Sequence, residues 1–384
     1  MVLGRGVPLP CGGGRPMGLC NLCGKASREI SEVLGFCVSC MRDHFQEVWP
    51  KVKRVHHESR TRYGLPPDPP LDPNGVRCAL CMHQCSIPEG QTGYCGSRRA
   101  LAGTIRGGRP HEGSVSWYQD PLPTNCVADW VCAGGTGCGY PRYARRPGPE
   151  LGFLNLAVFY HACSFNCLYC QNHHFKELTG KGRARPSREL AEAVTARTTC
   201  ICFFGGDPSV QVLHAVKAAK LARKLRKGEI LRICWETNGA VREPFMTQMA
   251  DLSMESGGCI KVDLKAWDER VHLCLCGVSN RHTLEAVRSL ARRFPSRVDP
   301  PFLVASTTLV PGYVDEQEVA GLSAFLRELD PRIPYSLLAF YPSFWLKDLP
   351  STSREHARRC LDVAKGAGLQ RVRLANAHLL GPPY

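Results

Sequence analysis

The chain has 384 residues, a formal net charge of +15, 43% apolar and 22% charged residues, and 22 cysteines. This suits one large core with one or two small modules, and with no run near the roughly 20 apolar residues that cross a bilayer, a membrane-spanning helix is excluded. The opening "MVLGRGVPLPCGGGRPMG" has glycine and proline where a secretory signal needs an apolar stretch, so the expected location is cytoplasmic. In that compartment many cysteines point to metal binding rather than to a disulfide scaffold. Two zinc tetrathiolates and a three-thiolate cubane would bring the charge to roughly +10. The balance stays basic. The clusters "KVKRVHH" and "RKLRKGE" are either docking points for nucleic acid or an acidic protein, or solvated surface.

The first unit, residues 1–50, carries Cys20, Cys23, Cys37 and Cys40 as C-x2-C, thirteen residues, C-x2-C. Two such knuckles bring four sulfurs around Zn2+, with rubredoxin-type iron as the competitor. Residues 51–75, ending in "YGLPPDPPLDPNG", read as a stiff linker. Residues 76–150 hold a second set, Cys78, Cys81, Cys85 and Cys95, sufficient for zinc or for an iron–sulfur cluster, with His83 as a bystander. "TNCVADWVCAGGTGCGY" adds Cys126, Cys132 and Cys138, whose spacing fits no nameable site; ligand and packing readings stand equal there.

Residues 151–384 change texture. β-rich runs at 153–160, 199–204, 230–236, 259–265, 302–310, 335–341 and 370–376 alternate with amphipathic helical stretches at 187–198, 210–227, 242–254, 281–294, 315–329 and 353–367. Such alternation predicts an α/β core with parallel strands and crossover helices, a partial (β/α)6 TIM-like barrel, whose chemistry sits in loops at the strand C-termini. Cys163, Cys167 and Cys170 follow the first of these strands as C-x3-C-x2-C. Three thiolates can hold three irons of a [4Fe–4S] cube and leave the fourth open, as catalytic zinc sites keep a position open. Cys200, Cys202, Cys234, Cys259 and Cys360 read as small buried apolar residues.

"CSFNCLYC" resembles the signature of the radical S-adenosylmethionine (SAM) enzymes. The resemblance implies that the open iron chelates the methionine part of SAM. One electron from the cluster then yields a 5′-deoxyadenosyl radical that abstracts hydrogen, and Tyr169 contacts the adenine. "FFGGDPSVQ" is similar to the family's Gly-Gly-Glu-Pro motif, with Gly205 and Gly206 approaching SAM and Asp207 one methylene shorter than the usual glutamate. "WETNG", with Glu236 and Asn238, and "KVDLKAWD", with Asp263 and Lys265, resemble the subgroup like pyruvate formate-lyase-activating enzyme. These residues would face SAM or substrate, although Asp263 and Lys265 equally read as a simple ion pair. From Cys78 onward the chain also resembles the radical SAM protein of the AmmeMemoRadiSam group. Cys276, in "LCLCGVS", is a candidate hydrogen-atom donor.

The implied activity is that of a radical SAM oxidoreductase that activates or modifies a protein. It would take electrons from a reductant such as a flavodoxin or ferredoxin and have no membrane partner. RNA modification, with nucleic acid docked through the basic surface and the knuckle, is one alternative. A non-catalytic metal-binding interaction protein is the other.

Overall fold

The structure, a computed structural model, describes residues 17–384. The first sixteen positions of the 1–50 unit, and with them most of the opening read for a signal, lie outside the described residues. One nine-stranded sheet organises the molecule. In chain order its strands are β1 (Glu112–Pro121), β2 (Leu154–Tyr160), β3 (Ala184–Pro186), β4 (Thr198–Phe204), β5 (Arg232–Thr237), β6 (Ile260–Asp263), β7 (Leu303–Leu309), β8 (Tyr335–Ala339) and β9 (Val372–Ala375). The spatial order is β9-β8-β7-β6-β5-β4-β2-β1-β3. From β2 to β9 every neighbour is parallel, and β1 and β3 add antiparallel pairs at one side. All seven strands expected from the sequence are present. The antiparallel β1 and β3 were not expected, because their polar alternation looks like loop.

Helices α1 (Val38–Asp43) and α2 (Phe45–Thr61) precede the sheet. Around it run α3 (Ser187–Glu192), α4 (Val212–Leu225), α5 (Glu243–Ser256), α6 (Glu269–Cys276), α7 (Arg281–Ala291), α8 (Glu316–Leu329) and α9 (Arg354–Gly366). Among the described residues no helix is long and apolar enough to cross a membrane.

Side chains alternate across each strand. Ile201, Phe203, Ile233 and Trp235 point outward and are buried under the helices; Phe203 stacks on Trp235 at 4.5 Å, and the Trp235 indole donates to the Met249 carbonyl at 3.1 Å. The other face lines the interior in register. Asn155 pairs with Cys200 and Cys200 with Arg232; Ala157 with Cys202 and Cys202 with Cys234; Phe159 with Phe204; Glu236 with Lys261; Lys261 with Val304. Residues beside or beyond the ends of seven parallel strands, from Cys163 to Asn376, line a single cavity. Seven strands laid flat would span about 29 Å at ~4.8 Å spacing, so the sheet must curl around that cavity.

The segment 122–151 closes the opposite end of the sheet. Glu150 and Arg232 form a buried bidentate pair at 2.7 and 2.8 Å, and the Thr199 hydroxyl donates to Glu150 at 2.5 Å. Burial alone would raise the Glu150 carboxyl, but Arg232 holds it below the usual range. Above, Trp130 donates to Ser336 at 3.1 Å and Arg373 pairs with Asp129 at 2.8 Å.

The expected linker begins later than position 51. Residues 51–61 belong to α2, whose buried Val48, Val52, His56 and Ser59 recur at helical spacing. The "KVKRVHH" cluster is therefore half interior: Val52 and His56 face the core, while Lys53 and His57 pair with Asp68 at 3.2 and 3.0 Å.

Glu150→Ala leaves Arg232 buried and unpaired, and should cost about 3–5 kcal/mol in denaturant unfolding. His214 and His272 are buried, and burial brings both down to about 4. The unfolded chain then binds more protons below about pH 6.5. Stability should be full above that pH and fall on acidification toward pH 4, and His272→Asn should flatten the dependence of the urea midpoint on pH.

Candidate functional site

The cavity at the strand C-termini has a volume of about 200 Å³. Cys163, Cys167 and Cys170 line it from the loop after β2. The Phe165 amide donates to the Cys163 sulfur at 3.3 Å, and the Asn238 carboxamide donates to the same sulfur at 3.6 Å. Burial pushes the Cys163 and Cys170 thiols up, Cys170 to about 11, and the Cys276 sulfur together with burial does the same to Cys167. Ionising them requires a cation, which is what metal coordination supplies.

Gly205 and Gly206 follow β4 at φ +68° and +52°. A Cβ on Gly205 would fall 2.0 Å from the Phe159 ring, and one on Gly206 would fall 2.1 Å from the Tyr160 carbonyl oxygen. Only glycine lets this backbone border the cavity. Asp207 also borders it, but its carboxylate is turned into the protein. It accepts from the Ser209 amide and the Asn238 amide, both at 2.7 Å, and from the Thr237 hydroxyl at 3.1 Å. It therefore ties the loop after β4 to the loop after β5, a job that suits the shorter side chain.

Glu236 and Asn238 reach the cavity from β5, and Asp263 and Lys265 reach it from β6. Asp263 and Lys265 form an ion pair at 2.7 Å, and Ser306 donates to Asp263 at 2.7 Å. Burial opposes the Lys265 charge, but Asp263 raises its pKa above the usual lysine range. The Tyr169 hydroxyl is buried without a partner at the cavity wall.

Residues 157–322 match the radical SAM superfamily. The chain carries a radical SAM domain. It is similar to pyruvate formate-lyase 1-activating enzyme of Escherichia coli K12, at 28% identity over 50% of this chain and 76% of that one. It is also similar to an uncharacterized protein of Methanocaldococcus jannaschii, at 24% identity over 80% of this chain and 83% of that one. A solved domain of a pyruvate formate-lyase-activating enzyme from Bacteroides vulgatus aligns at TM-score 0.37 and 21% identity, over 46% of this chain and 98% of that one.

Radical SAM chemistry implies a [4Fe–4S] cluster and SAM, and the residues present fit both. Three soft ligands line the cavity, a backbone cradle from the neighbouring strand end has no room for a Cβ, and an unpartnered phenol borders the same space. The loop that holds the thiols is braced from behind. Lys176 donates to Asn166 at 2.8 Å, and Asn166 donates to Ser59 of α2 at 2.7 Å and contacts His56 at 3.0 Å. Cys276 sits 3.5 Å behind Cys167, fully buried at the end of α6, and is not among the cavity-lining residues.

The two cysteine sets before the radical SAM domain differ. The sulfurs of Cys20, Cys23, Cys37 and Cys40 all lie within 4.8 Å of one another. Tetrahedral zinc with Zn–S of ~2.3 Å needs sulfurs about 3.8 Å apart, and Cys23 and Cys37 stand at 3.8 Å. Burial opposes ionisation of Cys20, but the amides of Cys23, Cys37 and Leu22 bring its thiol down to about 6. The module docks through Ser31, which donates to Asp348 at 3.0 Å, and through Arg42, which pairs with Glu318 at 2.7 Å. Cys78, Cys81, Cys85 and Cys95 share a small cavity but do not form such a tight set among the described residues. His83 stands by, contacting the Ser164 carbonyl at 2.7 Å.

Sequence reasoning missed Thr308 and Asn376 on the cavity wall. Asn376, at φ +54°, follows β9, and an Asn just past a strand end was a readable signal for a left-handed turn. Thr308 carries no such signal.

Gly206→Ala should weaken SAM binding by at least about tenfold, or ~1.4 kcal/mol, while the three-cysteine loop still takes up iron; equilibrium dialysis with labelled SAM checks this. Loaded with Zn2+ and dialysed, wild type should retain about one zinc per chain more than Cys37→Ser, measured by metal analysis.

Proposed function

We propose that this chain reductively cleaves SAM and uses the resulting radical to abstract hydrogen from a protein substrate. Cys163, Cys167 and Cys170 would hold the [4Fe–4S] cluster. When bound and reduced, the cluster supplies the electron that splits SAM into methionine and a 5′-deoxyadenosyl radical. Gly205 and Gly206 would offer backbone to the methionine part of SAM, and Tyr169 would border the adenine. Asn238 fixes Cys163 by its hydrogen bond. The Asp263–Lys265 pair presents a fixed charge pair to whatever occupies the remaining volume. The first module would carry Zn2+, and a flavodoxin or ferredoxin would serve as reductant.

The observation that carries this reading is the meeting of three thiols and a Cβ-intolerant glycine pair on one cavity at the strand C-termini. The protein-substrate reading rests on the names of two relatives, activating enzymes of pyruvate formate-lyase and of isethionate sulfite-lyase. Anaerobically reconstituted protein given dithionite and SAM should release 5′-deoxyadenosine, detected by mass. Cys163→Ala, Cys167→Ala and Cys170→Ala should each abolish it. Release undiminished in these variants would overturn the assignment.

A further inference from the structure

A second cavity lies inside the sheet at the opposite, N-terminal end of the strands, with a volume of about 40 Å³. Six cysteines line it: Cys200 and Cys202 of β4, Cys234 of β5, Cys259 just before β6, and Cys126 and Cys132 from the closing segment. Three of them form a row. Cys202 is in register with Cys234 across β4 and β5, and the pairing of Trp235 with Ile260 sets Cys234 beside Cys259. Neighbouring strands at ~4.8 Å therefore present three thiols at one level. Cys200 stands 3.6 Å from Cys234. The sequence offered the four cysteines on or beside the strands as small apolar core and left Cys126 and Cys132 equally open to ligand and packing readings. The structure places them together around a common space.

Two polar groups do not suit an apolar core. Lys261 is 1% exposed, and its ammonium contacts the sulfurs of Cys126 and Cys202, both at 3.0 Å, and Glu236 at 3.3 Å. The ammonium sets a buried positive charge against both sulfurs at the cavity wall. Asn155 is 2% exposed and lines the same cavity, and its carboxamide oxygen has no partner. Turning that amide would aim N–H groups at an acceptor in the cavity.

The sulfurs are not packed for a single ion. Among the described residues, no three of these six lie within 4.8 Å of one another, whereas the Cys20 set does. Wider spacing around an enclosed space suits a polynuclear core. The volume is a fifth of that at the other end, which favours the smallest polynuclear core, two irons with two sulfides, over a cube.

We propose that this cavity binds a [2Fe–2S] cluster, ligated by Cys202, Cys234 and Cys259 from the sheet and Cys126 from the closing segment. Lys261 offsets part of the anionic charge, and Asn155 donates to a cluster sulfur. The layer of Phe159, Phe204, Glu236, Lys261 and Val304 separates it from the radical SAM cavity.

The test uses full-length protein reconstituted anaerobically with ferrous iron and sulfide. Iron, acid-labile sulfide and Mössbauer spectra are compared between wild type and Cys202→Ala/Cys234→Ala/Cys259→Ala. The variant is expected to lose about two irons and two sulfides per chain and the two-iron spectral component. Its SAM-sensitive [4Fe–4S] EPR signal should remain. Should the sheet substitutions unfold the protein, Cys126→Ala/Cys132→Ala, in the segment outside the strands, is expected to lose or shift the same component. Unchanged iron and an unchanged spectrum in a folded variant would overturn the proposal, as would uptake of a single zinc in place of iron at this site.

Discussion

Every second side chain of a strand points to the same face, and in a curled parallel sheet that face has nowhere to go but inward. Because β2, β4, β5, β6 and β7 are held in register, their inward residues stack in levels. One level, with Phe159, Phe204, Glu236, Lys261 and Val304, fills the interior and leaves space on either side. Above it the strand ends open into loops carrying cysteines, glycines and charged residues. Below it the interior closes under the segment 122–151. A shift of one residue in any strand would exchange inward for outward faces and dismantle both spaces together.

The loop that carries Cys163, Cys167 and Cys170 has little secondary structure of its own, and its position is imposed from outside. The Asn166 amide donates to the Cys276 carbonyl at 3.0 Å and the Leu168 amide to the Leu275 carbonyl at 2.9 Å, fixing it to α6. His56 and Ser59 fix it to α2, and His83 to the second cysteine module. Asp207 performs the matching task between the loops after β4 and β5. The catalytic end is rigid because several elements distant in sequence each add a hydrogen bond or two.

The parallel strands were legible because buried strands read as apolar runs such as "TCICFF" and "FLVASTTLV". Six helices were legible from their three-and-four spacing, although the run at 187–198 stops at Glu192 where the chain must turn into β4, and the short α1 and α6 were not expected. The three-cysteine loop and the Gly-Gly turn were legible because their chemistry restricts residue type. Helix α2 was not, because Pro50 and its many charges mask the buried stripe of Val48, Val52 and His56. The gathering of six cysteines was also hidden. Each sits alone or in a pair on its own element, and only strand register brings them to one place. The motif showed Asp207 only as a shorter side chain than the usual glutamate, and its hydrogen bonds reveal it as a brace.

The docking of the N-terminal module has a bearing on biosynthesis. Ser31 receives the Tyr313 hydroxyl oxygen as partner for its amide at 2.9 Å and donates to Asp348, while Arg42 pairs with Asp315 and Glu318. Those partners are made roughly 270 to 320 positions later. The segment from Cys20 to Thr61 therefore leaves the ribosome long before the surface that covers it exists. In that interval the apolar stripe of α2 is open to water and to other chains, a condition that favours misassembly. The segment most in need of shelter during synthesis is thus the one that, once covered, braces the three-cysteine loop.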